Sequence, residues 1–180
     1  MKAPALAGIV LAALVGVAAV GDLVQGLRRF DRMGPLGPGK PVPQFAVERL
    51  EGGRFDTAAL AGRVHVVTFW ATWCPYCRDE LAELDQMAGR WSPDDVAMVA
   101  VNREGGGLTR EQVVAVAQQY RRATGLRVPI AIDDGQMARA FGVGPIPHTA
   151  IFDREGQLRH VHQGRVRGET IADEVDALLR

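Results

Sequence analysis

Apolar positions change their period several times along this chain, and each change marks an element. Val64 to Phe69 is an apolar run, the pattern of a strand covered on both faces. Asp95 to Val101 repeats that pattern. Between them, from Pro75 to Arg90, apolar residues recur at helical spacing, with Leu81, Leu84 and Met87/Ala88 on one stripe. A second helix is expected from Arg110 to Thr124, capped by Thr109 and stopped by Gly125, with Val113, Val116, Ala117 and Tyr120 inward. Shorter strands are expected at Gln44–Leu50 and Arg54–Asp56, around Glu51-Gly52-Gly53, and at Val128–Ile132. Gln136–Phe141 reads as a short helix. His148–Asp153 and Gln157–Gln163 read as a hairpin around Arg154-Glu155-Gly156, and Gly168–Arg180 as a last amphipathic helix with Ile171, Val175 and Leu178 inward. Strands alternating with helices, then a hairpin and a helix, describe an α/β fold: a mixed sheet with helices on both faces.

The N-terminus has no such alternation. Ala5 to Gly21 holds no charged or strongly polar residue. A spanning helix wants about 20 apolar residues, with a range near 17–25. Residues 1–27 are therefore expected to be a transmembrane signal-anchor, residues 28–41 a Gly/Pro-rich linker, and residues 42–180 one folded domain. Two rivals are a signal peptide cut near Ala18-Ala19 and a buried or peripheral helix. Arg28, Arg29 and Arg32 on the C-terminal flank argue against export of the domain.

Composition narrows the functional classes. Basic and acidic side chains number 21 each, so no bulk field draws the chain to nucleic acid. The two cysteines, Cys74 and Cys77, build neither a disulfide framework nor, alone, a structural zinc site. The histidines (His65, His148, His160, His162) read as strand residues, and no metal is expected, although His160 and His162 alternate and share one face. A covalent haem site needs His directly after the second Cys, where Arg78 stands. The Gly105–Gly107 loop lacks a following Lys-Ser/Thr, so phosphate binding is not expected.

The chemistry concentrates where the first buried strand meets the first helix. Trp70-Ala-Thr-Trp73-Cys74-Pro75-Tyr76-Cys77-Arg-Asp-Glu80 places a Cys-x-x-Cys pair in the first helical turn. Free N–H groups and a partial positive charge there favour thiolate over thiol. Pro75 suits that first turn.

Phe69-Trp-Ala-Thr-Trp-Cys-Pro-Tyr-Cys-Arg-Asp-Glu80-Leu81 and Gly142-Val-Gly-Pro-Ile146-Pro147-His148-Thr-Ala-Ile-Phe-Asp153, with the run Gly53 to Gly62 and an inserted helix-strand unit, carry a resemblance. The domain resembles the thioredoxin fold, and within it the membrane-anchored thiol–disulfide oxidoreductases of the TlpA/ResA/DsbE type. The resemblance implies Cys74 as nucleophile and Cys77 as the thiol that resolves the mixed disulfide. It implies no cofactor beyond a redox-active Cys74–Cys77 disulfide. Thr68 stands where thioredoxins carry a buried Asp, so Glu80 is the expected acid/base. Pro147 is the expected cis-proline, presenting the Ile146 backbone to an extended client. Trp73, Pro75, Tyr76 and His148 complete the expected client-binding residues.

The implied partners are client proteins with cysteines or disulfides, such as apocytochrome c or copper-site thiols, and a membrane thiol electron donor. The implied location is the bacterial cytoplasmic (inner) membrane, single-pass, with the domain on the extracytoplasmic side. Rival functions are a thiol oxidase or isomerase, and a non-enzymatic metal or haem chaperone. A peroxiredoxin-type peroxidase needs Thr or Ser three residues before the reactive Cys and Pro four before that. Ala71 and Val67 stand there.

Overall fold

The computed structural model of the chain describes residue 40 and residues 42–180. The expected membrane segment at 1–27, and the expected linker at 28–41 apart from residue 40, lie outside the described residues. Among the described residues no helix is long and apolar enough to cross a membrane.

The strands are β1 (Ala46–Arg49), β2 (Arg54–Asp56), β3 (Val64–Trp70), β4 (Val96–Asn102), β5 (Ile130–Ile132), β6 (His148–Phe152) and β7 (Leu158–Gln163). They form one sheet in the order β2-β1-β5-β4-β3-β6-β7. β3, β4 and β5 run parallel to one another, and the remaining pairs are antiparallel. The helices are α1 (Pro75–Met87), α2 (Arg110–Thr124), α3 (Gln136–Ala140) and α4 (Gly168–Leu179). A 3₁₀ turn at Thr57–Leu60 follows β2, with the Asp56 side chain accepting from the Ala59 N–H at 3.2 Å.

β3 lies inside the sheet, and all its residues are buried. Its side chains alternate between two faces. Val67 and Phe69 join Phe45, Phe55, Leu60, Met137 and Phe141 in one core. Val64 and Val66 pack with Leu84 of α1 and with Ile171 and Val175 of α4. Trp70 packs with Cys74, Cys77, Leu81 and Ala117. Helices α1, α2 and α4 thus cover one face, and α3 with the 3₁₀ turn covers the other. This is the expected mixed sheet, with α2 and β5 as the inserted unit.

Boundaries differ from expectation for local reasons. α1 ends at Met87 and not Arg90, with Gly89 following its Ala88 cap; glycine is a poor helix former. β5 begins at Ile130 and not Val128, because Pro129 has no N–H for the ladder. The stop signals of α2 act as expected. The Thr109 side chain accepts from the Gln112 N–H, the Gln112 side chain accepts from the Thr109 N–H at 2.8 Å, and Gly125 closes the helix at φ 70°.

Candidate functional site

Trp70 ends β3 in the sheet, and four residues later Cys74 caps α1 with extended backbone (φ −91°, ψ 107°). Pro75 at the first helical position needs no N–H partner there. Cys74 and Cys77 are joined as a disulfide with Cα atoms 5.3 Å apart. The Cys77 N–H donates to Cys74 Sγ at 3.2 Å. When the bond is reduced, that N–H and the helix N-terminus favour a thiolate on Cys74. Cys74 retains 4% exposure and Cys77 none. An external disulfide can therefore reach Cys74 only.

The opposite wall comes from the start of β6. The Ile146–Pro147 peptide is cis, and the Ile146 carbonyl oxygen stands 3.8 Å from Cys74 Sγ. Pro147 is buried and Ile146 half-buried. On the solvent side, Trp73 (63%) and Tyr76 (64%) are the most exposed large apolar side chains among the described residues, and Pro75 between them is exposed too. Trp73 and Ile146 also border a groove of about 810 Å³ with Arg103, Leu108 and Pro145. An apolar rim around a single reachable sulfur suits docking of another polypeptide.

Beneath the pair, Glu80 is 1% exposed. It lies three residues after Cys77 on α1, so the two share a helix face. Thr149 Oγ1 donates to Glu80 Oε1 at 2.6 Å, Thr68 Oγ1 lies 3.2 Å from the same oxygen, and the Val166 N–H donates to Oε2 at 3.0 Å. Burial pushes the Glu80 carboxyl above its ordinary value, and the three donors only partly offset this. A carboxyl in that state takes up a proton more readily than an ordinary one and is suited to accept and return it. Thr68, where thioredoxins place an acid, serves here as a hydrogen-bond partner of that acid.

Two findings depart from expectation. His148 is 1% exposed and packs edge-on against Phe69 with ring centroids 5.9 Å apart, so it does not belong to the client-facing surface. Neither of its ring nitrogens has a hydrogen-bond partner. Burial, and secondarily the Arg103 charge, lowers its pKa. Glu104 was not legible as a site residue. It is buried, and its carboxylate accepts from the Thr72 N–H at 3.1 Å, the Thr72 hydroxyl at 2.5 Å and Asn102 Nδ2 at 3.1 Å. Its carbonyl oxygen accepts from the Trp73 indole at 2.8 Å. The only sequence signal was an acid at the exit of a buried strand, close to the sheet edge that carries the dithiol. Among the described residues no group of three His, Cys, Asp or Glu side chains could hold a metal ion.

Residues 38–161 match the model of the AhpC/TSA family. The chain is 30% identical to the thiol-disulfide oxidoreductase ResA of Bacillus thuringiensis over 79% of its own length and 76% of that protein's. It is 30% identical to the thioredoxin-like protein YneN of Bacillus subtilis over 77% and 78% of the two chains. Among solved structures, a putative thiol:disulfide interchange protein DsbE from Chlorobium tepidum superimposes with a TM-score of 0.71 at 26% identity, covering 81% of this chain and 99% of the other. Similarity to named dithiol enzymes thus spans the strand, turn and helix that hold Cys74 and Cys77. The chain belongs to the AhpC/TSA family of thioredoxin-like proteins and is a thiol–disulfide oxidoreductase of the TlpA/ResA/DsbE type.

Proposed function

We propose that this oxidoreductase is anchored in the bacterial cytoplasmic membrane by residues 1–27, faces the extracytoplasmic side, and reduces disulfides of specific client proteins. The clients are proteins whose cysteines must be reduced before they receive haem or a metal. Electrons arrive from a membrane thiol donor. The observation that carries this reading is the asymmetry of the pair. Cys74 keeps the pair's only solvent exposure, 4%, beside exposed Trp73 and Tyr76 and the Ile146 carbonyl, and Cys77 is sealed one turn away on the helix face that holds Glu80.

In the reduced enzyme the Cys74 thiolate attacks one sulfur of the client disulfide. The client S–S bond breaks, a Cys74–client bond forms, and the released client thiolate takes a proton. Glu80 accepts the proton of Cys77, and the Cys77 thiolate attacks Cys74 Sγ. The Cys74–client bond breaks, and the second client thiolate leaves. The client has gained two electrons and the Cys74–Cys77 disulfide has formed. A donor thiolate then attacks Cys74 Sγ and releases Cys77, and the donor's second thiol displaces Cys74, so the donor ends as a disulfide and the enzyme as a dithiol.

Trapping tests the reading directly. Cys77→Ser expressed in its host should accumulate mixed disulfides between Cys74 and its clients. The dithiol potential should fall near that of thioredoxin, about −270 mV, and not near the −120 mV of a strong oxidant. A value close to the latter, or an empty trap from a chain without disulfide reductase activity, overturns it. Recovery of the full chain in washed membranes, with the domain open to protease added outside the cell, tests the anchor.

A further inference from the structure

One titratable group beside Glu80 has no part in the exchange chemistry of the dithiol. Thr68, Thr149 and His162 are direct cross-strand partners on β3, β6 and β7. Residues paired in this way share one face of the sheet. Glu80 of α1 lies over the first two, bonded to both hydroxyls. His162 is the third member of the row. Four residues further on, the Val166 N–H binds the other Glu80 oxygen, so β7 and the loop after it close around the carboxylate.

His162 is itself held. Its Nε2 lies 2.8 Å from Glu174 Oε2 on α4, and His160 Nδ1 lies 3.4 Å from Oε1 of the same carboxylate. His162 is half-buried, whereas Glu80 is enclosed. Other charged groups of this region include Arg167 at the start of α4, and Glu83 on α1 with Arg165 in the β7–α4 loop, the last two forming an ion pair with each other. Glu83 also accepts from the Gly168 N–H at 2.6 Å. Those two charges offset one another, and Glu174 is shared between two imidazoles. His162, paired with Glu174, is the charged group that acts on the buried carboxylate, and when protonated its attraction favours ionised Glu80. Between groups shielded from water such a force acts over several ångströms.

We propose that His162, oriented by Glu174, is a positioning residue for the dithiol reaction: when protonated, its charge shifts Glu80 toward the carboxylate and thereby sets the pH range in which Cys77 can be deprotonated. This rests on the reading of Glu80 as proton acceptor.

The test tracks the Glu80 carboxyl by carbon-13 NMR across pH in the oxidised protein. In His162→Gln the Glu80 midpoint should rise by about half a pH unit or more, roughly threefold in proton affinity. In His162→Lys, which keeps a positive charge, it should stay near the wild-type value. An unchanged midpoint in His162→Gln overturns the proposal. The coupling is reciprocal, so the His162 imidazole should titrate at lower pH in Glu80→Gln; this second measurement decides the matter if His162→Gln does not fold, and an unmoved imidazole overturns the proposal. The pH profile of mixed-disulfide resolution by Cys77 separates the two layers. If Glu80→Gln leaves that profile unchanged, the role of Glu80 fails. If Glu80→Gln moves it and His162→Gln does not, the role of His162 fails.

Discussion

The indole N–H of Trp73 donates to the carbonyl oxygen of Glu104 at 2.8 Å, while the Glu104 carboxylate accepts from the N–H and hydroxyl of Thr72. One residue just beyond the end of β4 therefore fixes the two residues that precede Cys74. An exposed tryptophan held by its polar edge keeps one orientation and presents its apolar face.

Removing that clamp should loosen the turn. Glu104→Ala leaves the Thr72 N–H and Asn102 Nδ2 without their acceptor, and buried donors so stranded cost about 1–3 kcal/mol. Urea unfolding should register a loss of this size. Reduction of a small-molecule disulfide should fall less than reduction of a protein client, since the sulfur chemistry at Cys74 is intact while the rim is disordered.

Truncating the rim itself should spare stability while still weakening docking. Trp73 is largely solvent-exposed, so Trp73→Ala should change stability by no more than about 0.5 kcal/mol. Its loss from a docked interface should raise KM for a protein client about tenfold, the equivalent of about 1.4 kcal/mol. The rate with a small disulfide should stay near wild type. Equal losses with both substrates would place Trp73 in the chemistry and not in recognition.

These two residues also show what the sequence could and could not reveal. Trp73, Cys74, Pro75 and Cys77 are consecutive or nearly so, and their roles follow from one local event, a buried strand turning into a helix. Most elements were legible for the same reason, because β3, α1 and α2 each declare themselves by period and caps. The contacts that complete the site join residues far apart. Glu104 meets Thr72 from 32 positions away, and Thr149 meets Glu80 from 69. They depend on strand order, with β6 beside β3, which no local pattern encodes. His148 misled for a related reason. It adjoins the cis-proline in sequence, yet alternation along β6 turns it into the core beside Phe69 while Thr149 faces Glu80.

Glu80 makes two linked predictions. Its folded pKa is raised above the ordinary 4.5, chiefly by burial. The native state thus prefers the protonated form. The stability this contributes is present below the ordinary carboxylate value and is lost as pH rises through the raised one. Against Glu80→Gln, which has nothing to ionise, the wild type should lose relative stability over that interval in urea titrations at successive pH values. The same substitution removes the proton acceptor for Cys77. Single-turnover resolution of a preformed mixed disulfide should slow on the order of 10²-fold, the low end for general base catalysis. A variant with the stability signature and an unchanged resolution rate would make Glu80 a structural acid only.

His148 makes the last prediction, with the sign reversed. Its folded pKa is lowered, first by burial and then by the Arg103 charge. The native state resists protonation, so stability is lost as pH falls from the ordinary histidine value toward the lowered one. His65, lowered by burial and by the charges of Arg63 and Arg49, acts in the same direction. Only His148 has both ring nitrogens unpartnered, whereas His65 Nδ1 lies 3.1 Å from the Arg63 carbonyl oxygen. His148→Phe keeps an aromatic ring against Phe69 and removes two stranded polar atoms. It should raise stability at pH 7 by about 1 kcal/mol, less any cost of the larger ring. It should also flatten the fall in melting temperature between neutral and mildly acid pH, leaving the share due to His65. A variant as acid-sensitive as the wild type would mean that the His148 imidazole finds a partner when charged.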